Sequence, residues 1–104
     1  MSDMVHGGGV DVLCHNDLPV GFLQETEGHI SALYIAKSAR RRGGGKQLID
    51  AAKQRKDSLD LWTFAPNAAA VSFYRGEGFV EVERSLENDE GLTDIRMKWT
   101  RDVG

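Results

Sequence analysis

The fold turns on one stretch, HISALYIAKSARRRGGGKQLID, residues 29–50. HISALYIA (29–36) is apolar and bounded by polar residues, as a buried strand is. KQLIDAAKQRKD (46–57) is built from good helix formers. Leu48, Ile49 and Ala52 share one face of it, and Lys53, Arg55 and Lys56 gather at its end, where the dipole favours cations. Three arginines and three glycines stand between the two segments. Each glycine costs about 1 kcal/mol relative to alanine inside a helix. The glycines make sense if a ligand must approach the backbone closely, or if φ must be positive. A helix N-terminus behind a buried strand presents unpaired N–H groups and the positive end of the dipole, which suits an anion. Arg40, Arg41, Arg42 and Lys46 add charge around it. A phosphate-bearing ligand fits all of these features.

Two familiar phosphate loops do not match. GxxxxGK[ST] needs Ser or Thr after the lysine, and Gln47 follows Lys46. GxGxxG needs a third glycine, and Lys46, Gln47 and Leu48 follow Gly45. The pattern that fits is R-x-x-G-x-G, carried by Arg40, Gly43 and Gly45. The plain alternative is a loop with a solvated charge run. HGGGV (6–10) shows that the chain places a glycine triplet elsewhere with no helix behind it.

Working outward, residues 1–9 are polar or glycine and read as loose. VDVLCHN (10–16) and VGFLQETE (20–27) read as two strands of a hairpin around a turn at DLP. LDLWTF (59–64) is a short strand. Asn67 is a natural N-cap for the helix AAAVSFYRGEG, and Gly78 closes it. FVEVERSLE (79–87) and LTDIRMKWT (92–100) form a hairpin around the turn NDEG (88–91). The order is β-β-β-α-β-α-β-β in one domain. The fold class is α/β (α+β): a mixed, mostly antiparallel sheet with a central parallel β-α-β unit and a right-handed crossover.

At 104 residues the chain is one domain's worth, able to form a core without disulfides or a structural metal. The net charge of −3 argues against a general nucleic-acid partner and makes the arginine cluster local. Cys14 is the single cysteine, which fits a reducing, cytoplasmic setting and reads as packing, not as a nucleophile. His6 and His15 show no metal spacing, so no metal is expected. No apolar run approaches the ~20 residues of a membrane span.

Asn67 and Tyr74 are seven residues apart, within about 20° of each other around a helix. They could line one side of a groove, or Asn67 could only cap and Tyr74 only pack. Taken together, ALYIAKSARRRGGGKQLIDAA and NAAAVSFYRGEGF resemble the Gcn5-related N-acetyltransferase (GNAT) family. R-x-x-G-x-G is similar to its acetyl-CoA pyrophosphate motif, and N-x-x-A-x-x-F-Y-x-x-x-G-F, Asn67 to Phe79, to its second signature. The resemblance covers residues 18–100.

The resemblance implies that the strands at 29–36 and 59–64 splay apart and admit the pantetheine arm of acetyl-CoA. The backbone around Leu33, Tyr34 and Ile35 would pair with the arm. Backbone N–H groups of Arg41 to Lys46 would hold the pyrophosphate, Asn67 would touch the pantetheine or phosphate, and Tyr74 would face the sulfur. An amine would attack the thioester directly, with an N–H near Ile35 steadying the oxyanion and Tyr74 the departing thiolate. A neutral amine needs a base or a water chain. Glu27 and His29 are the candidate bases, with Glu25 and Ser31 nearby.

The chain departs from the family in lacking a first strand and two helices ahead of the central hairpin, which form much of the acceptor pocket. Lysine stands at position 37, where the family often has proline. The expectation is an acetyl-CoA-dependent N-acetyltransferase acting on a primary amine of a small molecule or a protein. The alternative is a CoA-binding module without turnover. A homodimer pairing through the strands at 10–16 or 92–100 could complete the site.

Overall fold

The computed structural model describes residues 2–40, 43–86 and 93–101. The amino-terminal third is a meander of four antiparallel strands: β1 (Ser2–Gly7), β2 (Val10–His15), β3 (Leu18–Thr26) and β4 (His29–Ile35). Each turn between them holds two residues, both at positive φ: Gly8 (56°) and Gly9 (83°), Asn16 (52°) and Asp17 (66°), Glu27 (51°) and Gly28 (87°). Positive φ at both central positions is the type I′ requirement, and its twist matches that of the strands.

This corrects three expectations. Residues 2–9 are not loose: Ser2–Gly7 pairs with β2 along its length, from Ser2↔His15 to Gly7↔Val10, while Met1 lies outside the described residues. HGGGV is hairpin chemistry, and a polar strand in front of it leaves little periodicity to read. The strand expected to be missing is therefore present, and a two-residue turn joins it directly to β2. The turn expected at DLP lies at Asn16–Asp17, because Asn and Asp tolerate left-handed backbone where leucine and proline do not.

A 3₁₀ turn, Lys37–Ala39, leads from β4 toward α1 (Gly44–Arg55). Then come β5 (Ser58–Phe64), α2 (Ala68–Gly76), β6 (Val80–Ser85) and β7 (Asp94–Thr100). The turn expected at 88–91 lies outside the described residues. One seven-stranded sheet results, in the order β1-β2-β3-β4-β5-β7-β6, antiparallel except at β4–β5. From Val10 on, the order is the expected one. Its edges are β1 and β6, so the two strands expected to offer free edges, now β2 and β7, are paired on both sides.

Both crossovers, β4-α1-β5 and β5-α2-β6, step across the sheet in the same direction. The right-handed rule therefore puts both helices on one face. Leu48, Ile49 and Ala52 of α1 are fully buried there against Leu13, Leu23, Leu59, Leu61, Phe79 and Met97. α2 buries no residue completely and packs through Val71, Phe73 and Tyr74. Arg55, in the last turn of α1, donates to Asp11 at 2.5 Å and Glu25 at 3.3 Å, both nearly inaccessible acids on β2 and β3. Burial works against the Arg55 charge, but these two partners outweigh it and raise its pKa. On the opposite face, Val5, Val12, Phe22 and Tyr34 form a cross-strand row over four strands. Val5, Phe22 and Tyr34 are exposed, as are Trp62 and Phe64 on β5.

Candidate active site in the splayed seam

β4 and β5 pair at His29↔Asp60, with the Asp60 N–H donating to the Gly28 carbonyl at 2.8 Å. Beyond that point no further pairing joins the two strands among the described residues. The cause lies in β4. Its register with β3 shifts between Gln24 and Glu25, so Ser31 is an extra residue on β4 and the strand bends. The extra residue also lets both Ile30 and Leu33 pack on the helix side.

Backbone direction along the open part of β4 follows from one bond. The Ala36 N–H donates to the Val20 carbonyl at 2.7 Å, so alternate residues 36, 34 and 32 turn their backbone toward β3. Leu33 and Ile35 turn theirs toward the gap. Of the three residues expected to pair with an extended ligand, Leu33 and Ile35 therefore offer backbone. Tyr34 does not: it sits in the β3 ladder opposite Phe22, and its ring stacks on Phe22 across the other face, centroids 5.9 Å apart. The Ile35 carbonyl accepts a bond from Arg40 Nε at 3.2 Å.

A cleft of about 730 Å³ opens on the helix side of this gap. Leu33, Ile35, Arg40, Gly43, Gly44, Gly45, Lys46, Asn67 and Tyr74 all line it, so the two signature segments converge on one place. Arg41 and Arg42 lie outside the described residues. Gly43 is the N-cap of α1 at φ 79°, and no side chain caps the helix there. The first intrahelical bond runs from the Gln47 N–H to the Gly43 carbonyl at 3.0 Å, which leaves the N–H groups of the preceding residues for a ligand. A side chain at either of the first two helical positions would also be crowded. A Cβ on Gly44 would lie 3.0 Å from Leu13 Cδ2, and one on Gly45 3.1 Å from Phe73 Cζ. Uncapped donors, the positive end of a twelve-residue helix and a side-chain-free approach fit a diphosphate.

Lys46 stands at the rim, bonded to Glu77 Oε1 at 3.3 Å and Asp50 Oδ2 at 3.4 Å. The Glu77 bond, more than any other contact, raises its pKa, so it stays cationic. Asn67 takes both roles that its sequence left open. Its Oδ1 accepts from the Ala70 N–H at 3.2 Å, capping α2, and its side chain borders the cleft. Tyr74 is half-buried between Phe73 and Phe79, with ring centroids at 5.3 and 5.8 Å, and burial raises its pKa above the ordinary phenol value.

The structure does not bring Glu27 or His29 to this cleft. Glu27 occupies the β3–β4 turn beside Arg55 and Lys56. His29 Nδ1 bonds Asp60 Oδ1 at 3.0 Å, at the closed end of the seam. Phe73, the first F of the second signature, was given no role in the sequence reading, yet it lines the cleft and lies against the glycine loop. Its place beside Tyr74 in an otherwise small-residue helix was a further signal.

A family model described as Acetyltransferase (GNAT) domain matches residues 3–101. The chain is similar to the peptidyl-lysine N-acetyltransferase YiaC of Escherichia coli K12, 33% identical over 81 residues, which is 77% of this chain and 56% of YiaC. The chain spans about half the length of the curated relatives it matches. Among solved structures, the solution structure of apo-form YjaB from Escherichia coli superposes with a TM-score of 0.79 at 28% identity, covering 89% of this chain and 65% of that one. A protein of Bacillus anthracis strain Ames, crystallised with acetyl coenzyme A, superposes with a TM-score of 0.80 at 25% identity, covering 89% and 62%. The match runs from β1 through β7 and includes the splayed parallel seam, the glycine loop and the tyrosine helix: the chain belongs to the GNAT acetyltransferase family.

Proposed function

We propose that the protein is an N-acetyltransferase that uses acetyl-CoA and acts on a primary amine by direct attack. The observation that carries this reading is the cleft itself, where an uncapped, glycine-lined helix N-terminus and Tyr74 border the same open edge of β4. Acetyl-CoA supplies an acetyl group activated as a thioester, with a thiolate as leaving group. The N–H groups of α1 would hold the diphosphate. Leu33 and Ile35 would pair through their backbone with the amide-bearing arm, once Arg40 releases the Ile35 carbonyl. Tyr74, kept protonated by burial, would donate its hydroxyl proton in a hydrogen bond to the sulfur as negative charge develops there.

Among the described residues, those lining the cleft include no carboxylate and no histidine that could serve as a base. The acceptor amine therefore gives up its proton to water. Beside the seam, the face carrying Phe22, Tyr34, Trp62 and Phe64 is open, and an open platform suits an amine presented on a peptide or protein better than an enclosed small molecule. The naming of YiaC as a peptidyl-lysine N-acetyltransferase supports that choice.

Titration calorimetry with acetyl-CoA, followed by thiol release over lysine peptides and small amines, tests the reading. Saturable binding and turnover with lysine peptides are expected. Binding without turnover on any amine would leave a CoA-binding module instead, and no binding would end both readings.

A further inference from the structure

The glycine loop and the tyrosine helix meet at one contact. Gly45, the second residue of α1, presents its hydrogens to the ring edge of Phe73, where a Cβ would lie 3.1 Å from Cζ and 3.4 Å from Cε1. Ordinary carbon contacts are about 3.5–4.0 Å. The same ring stands edge-to-face with Tyr74 at 5.3 Å, and Tyr74 stands edge-to-face with fully buried Phe79 at 5.8 Å. On its other side, the first turn of α1 is held against β2 and β4. A Cβ on Gly44 would come within 3.0 Å of Leu13 Cδ2 and 3.4 Å of Ile35 Cδ1. That turn therefore has close side-chain neighbours on both sides.

We propose that Phe73 is a positioning residue. Its ring fixes the spacing between the anion-binding end of α1 and the Tyr74 hydroxyl, and Gly45 is glycine because the ring occupies the space of its side chain. The proposal rests on the acetyl-CoA reading of the cleft. A ligand held at its diphosphate by α1 and at its sulfur by Tyr74 spans both ends of this contact, so a shift of the ring misaligns one end against the other. A methyl group at position 45 presses on Phe73, whose ring must give by a few tenths of an ångström, and Tyr74 packs edge-on against that ring. Helix propensity alone gives the opposite expectation, since alanine is the better helix former.

The test is a double-mutant cycle on acetyl-CoA affinity and thiol release with Gly45→Ala, Phe73→Leu and the pair. Gly45→Ala should weaken acetyl-CoA binding about tenfold, and Phe73→Leu, which removes the ring edge, about two- to threefold. The double variant should return to within about twofold of Phe73→Leu alone, in affinity and in kcat. Phe73→Trp approaches the same contact from the other side and should weaken binding with glycine still at position 45. Penalties that simply add, or a Gly45→Ala variant that binds like wild type, overturn the proposal. Wild-type binding with additive penalties sinks this proposal alone. A wild-type protein that does not bind acetyl-CoA sinks the functional reading and this one with it.

Discussion

At the scale of single residues, Asn67 caps α2 through its Oδ1 and also lies at the cleft, so fold and site can be separated there. Two substitutions separate the roles. Asn67→Ala removes the cap and should cost about 1 kcal/mol in urea unfolding, as well as acetyl-CoA affinity. Asn67→Asp keeps an acceptor for the Ala70 N–H but places a negative charge near a diphosphate. It should unfold like wild type while binding acetyl-CoA several-fold more weakly. Equal affinity for wild type and Asn67→Asp would show that Asn67 is a cap and nothing more. Tyr74→Phe removes only the hydroxyl of a ring held by Phe73 and Phe79, so acetyl-CoA affinity should hold while kcat falls about 10²-fold. Unchanged turnover would remove Tyr74 from the chemistry. Both residues were legible from their spacing, because a helical interval of seven is purely local geometry. The contact of Phe73 with Gly45 was not, since it depends on a residue 28 positions earlier being brought against the ring.

At the scale of elements, α1 is fastened at both ends by different means. Its first turn is packed against Leu13, Ile35 and Phe73, and its last turn is tied by Arg55 to Asp11 and Glu25. Asp11 and Glu25 keep only 2% and 5% of their surface, so removing the cation leaves two buried acids with only His6 Nδ1 and the Gly28 N–H as partners. Arg55→Ala should therefore destabilise the fold by roughly 2–3 kcal/mol, at the low end of what breaking a buried pair costs because a third of the Arg55 side chain meets solvent. Chemical denaturation reads this directly, and a loss below about 0.5 kcal/mol would mark the tie as an ordinary surface pair. The helices and the β4-α1-β5 unit were readable because their periodicities are strong. β1 was not, since four polar or glycine residues among its six give no alternating pattern and its partner β2 is what makes it a strand.

At the scale of the whole molecule, the sheet is continuous except at the seam, and Asp60 clasps the seam's closed end. It accepts from Arg96 Nε at 2.7 Å on β7 and pairs with His29 Nδ1 at 3.0 Å on β4. Burial alone would raise its pKa, but the bonds from Arg96 and His29 bring it below the ordinary carboxylate value. A group depressed in the folded state contributes stability above its unfolded pKa and loses it as pH falls through the folded one. The Asp60 contribution should thus be present above about pH 4 and fade below it. Thermal melts from pH 7 to pH 2 should show a shallower acid limb in Asp60→Asn than in wild type, and identical limbs would deny the clasp a role. The rate should behave differently from the stability. With no base lining the cleft among the described residues, kcat/KM should climb with pH toward the amine's own pKa, about 10.4 for lysine. A plateau near neutrality would reveal a base on the protein.

The sequence by itself determined the helices and the glycine loop, because each is a short-range pattern of turn, cap and period, and the link of that loop to Asn67 and Tyr74 came from the resemblance to the family. Tertiary structure alone decided the rest. It placed the extra residue in β4 that opens the seam, turned Leu33 and Ile35 but not Tyr34 toward the gap, and carried Glu27 and His29 away from it. Those outcomes depend on strand register, and register is set by which residues lie opposite one another across strands far apart in the chain.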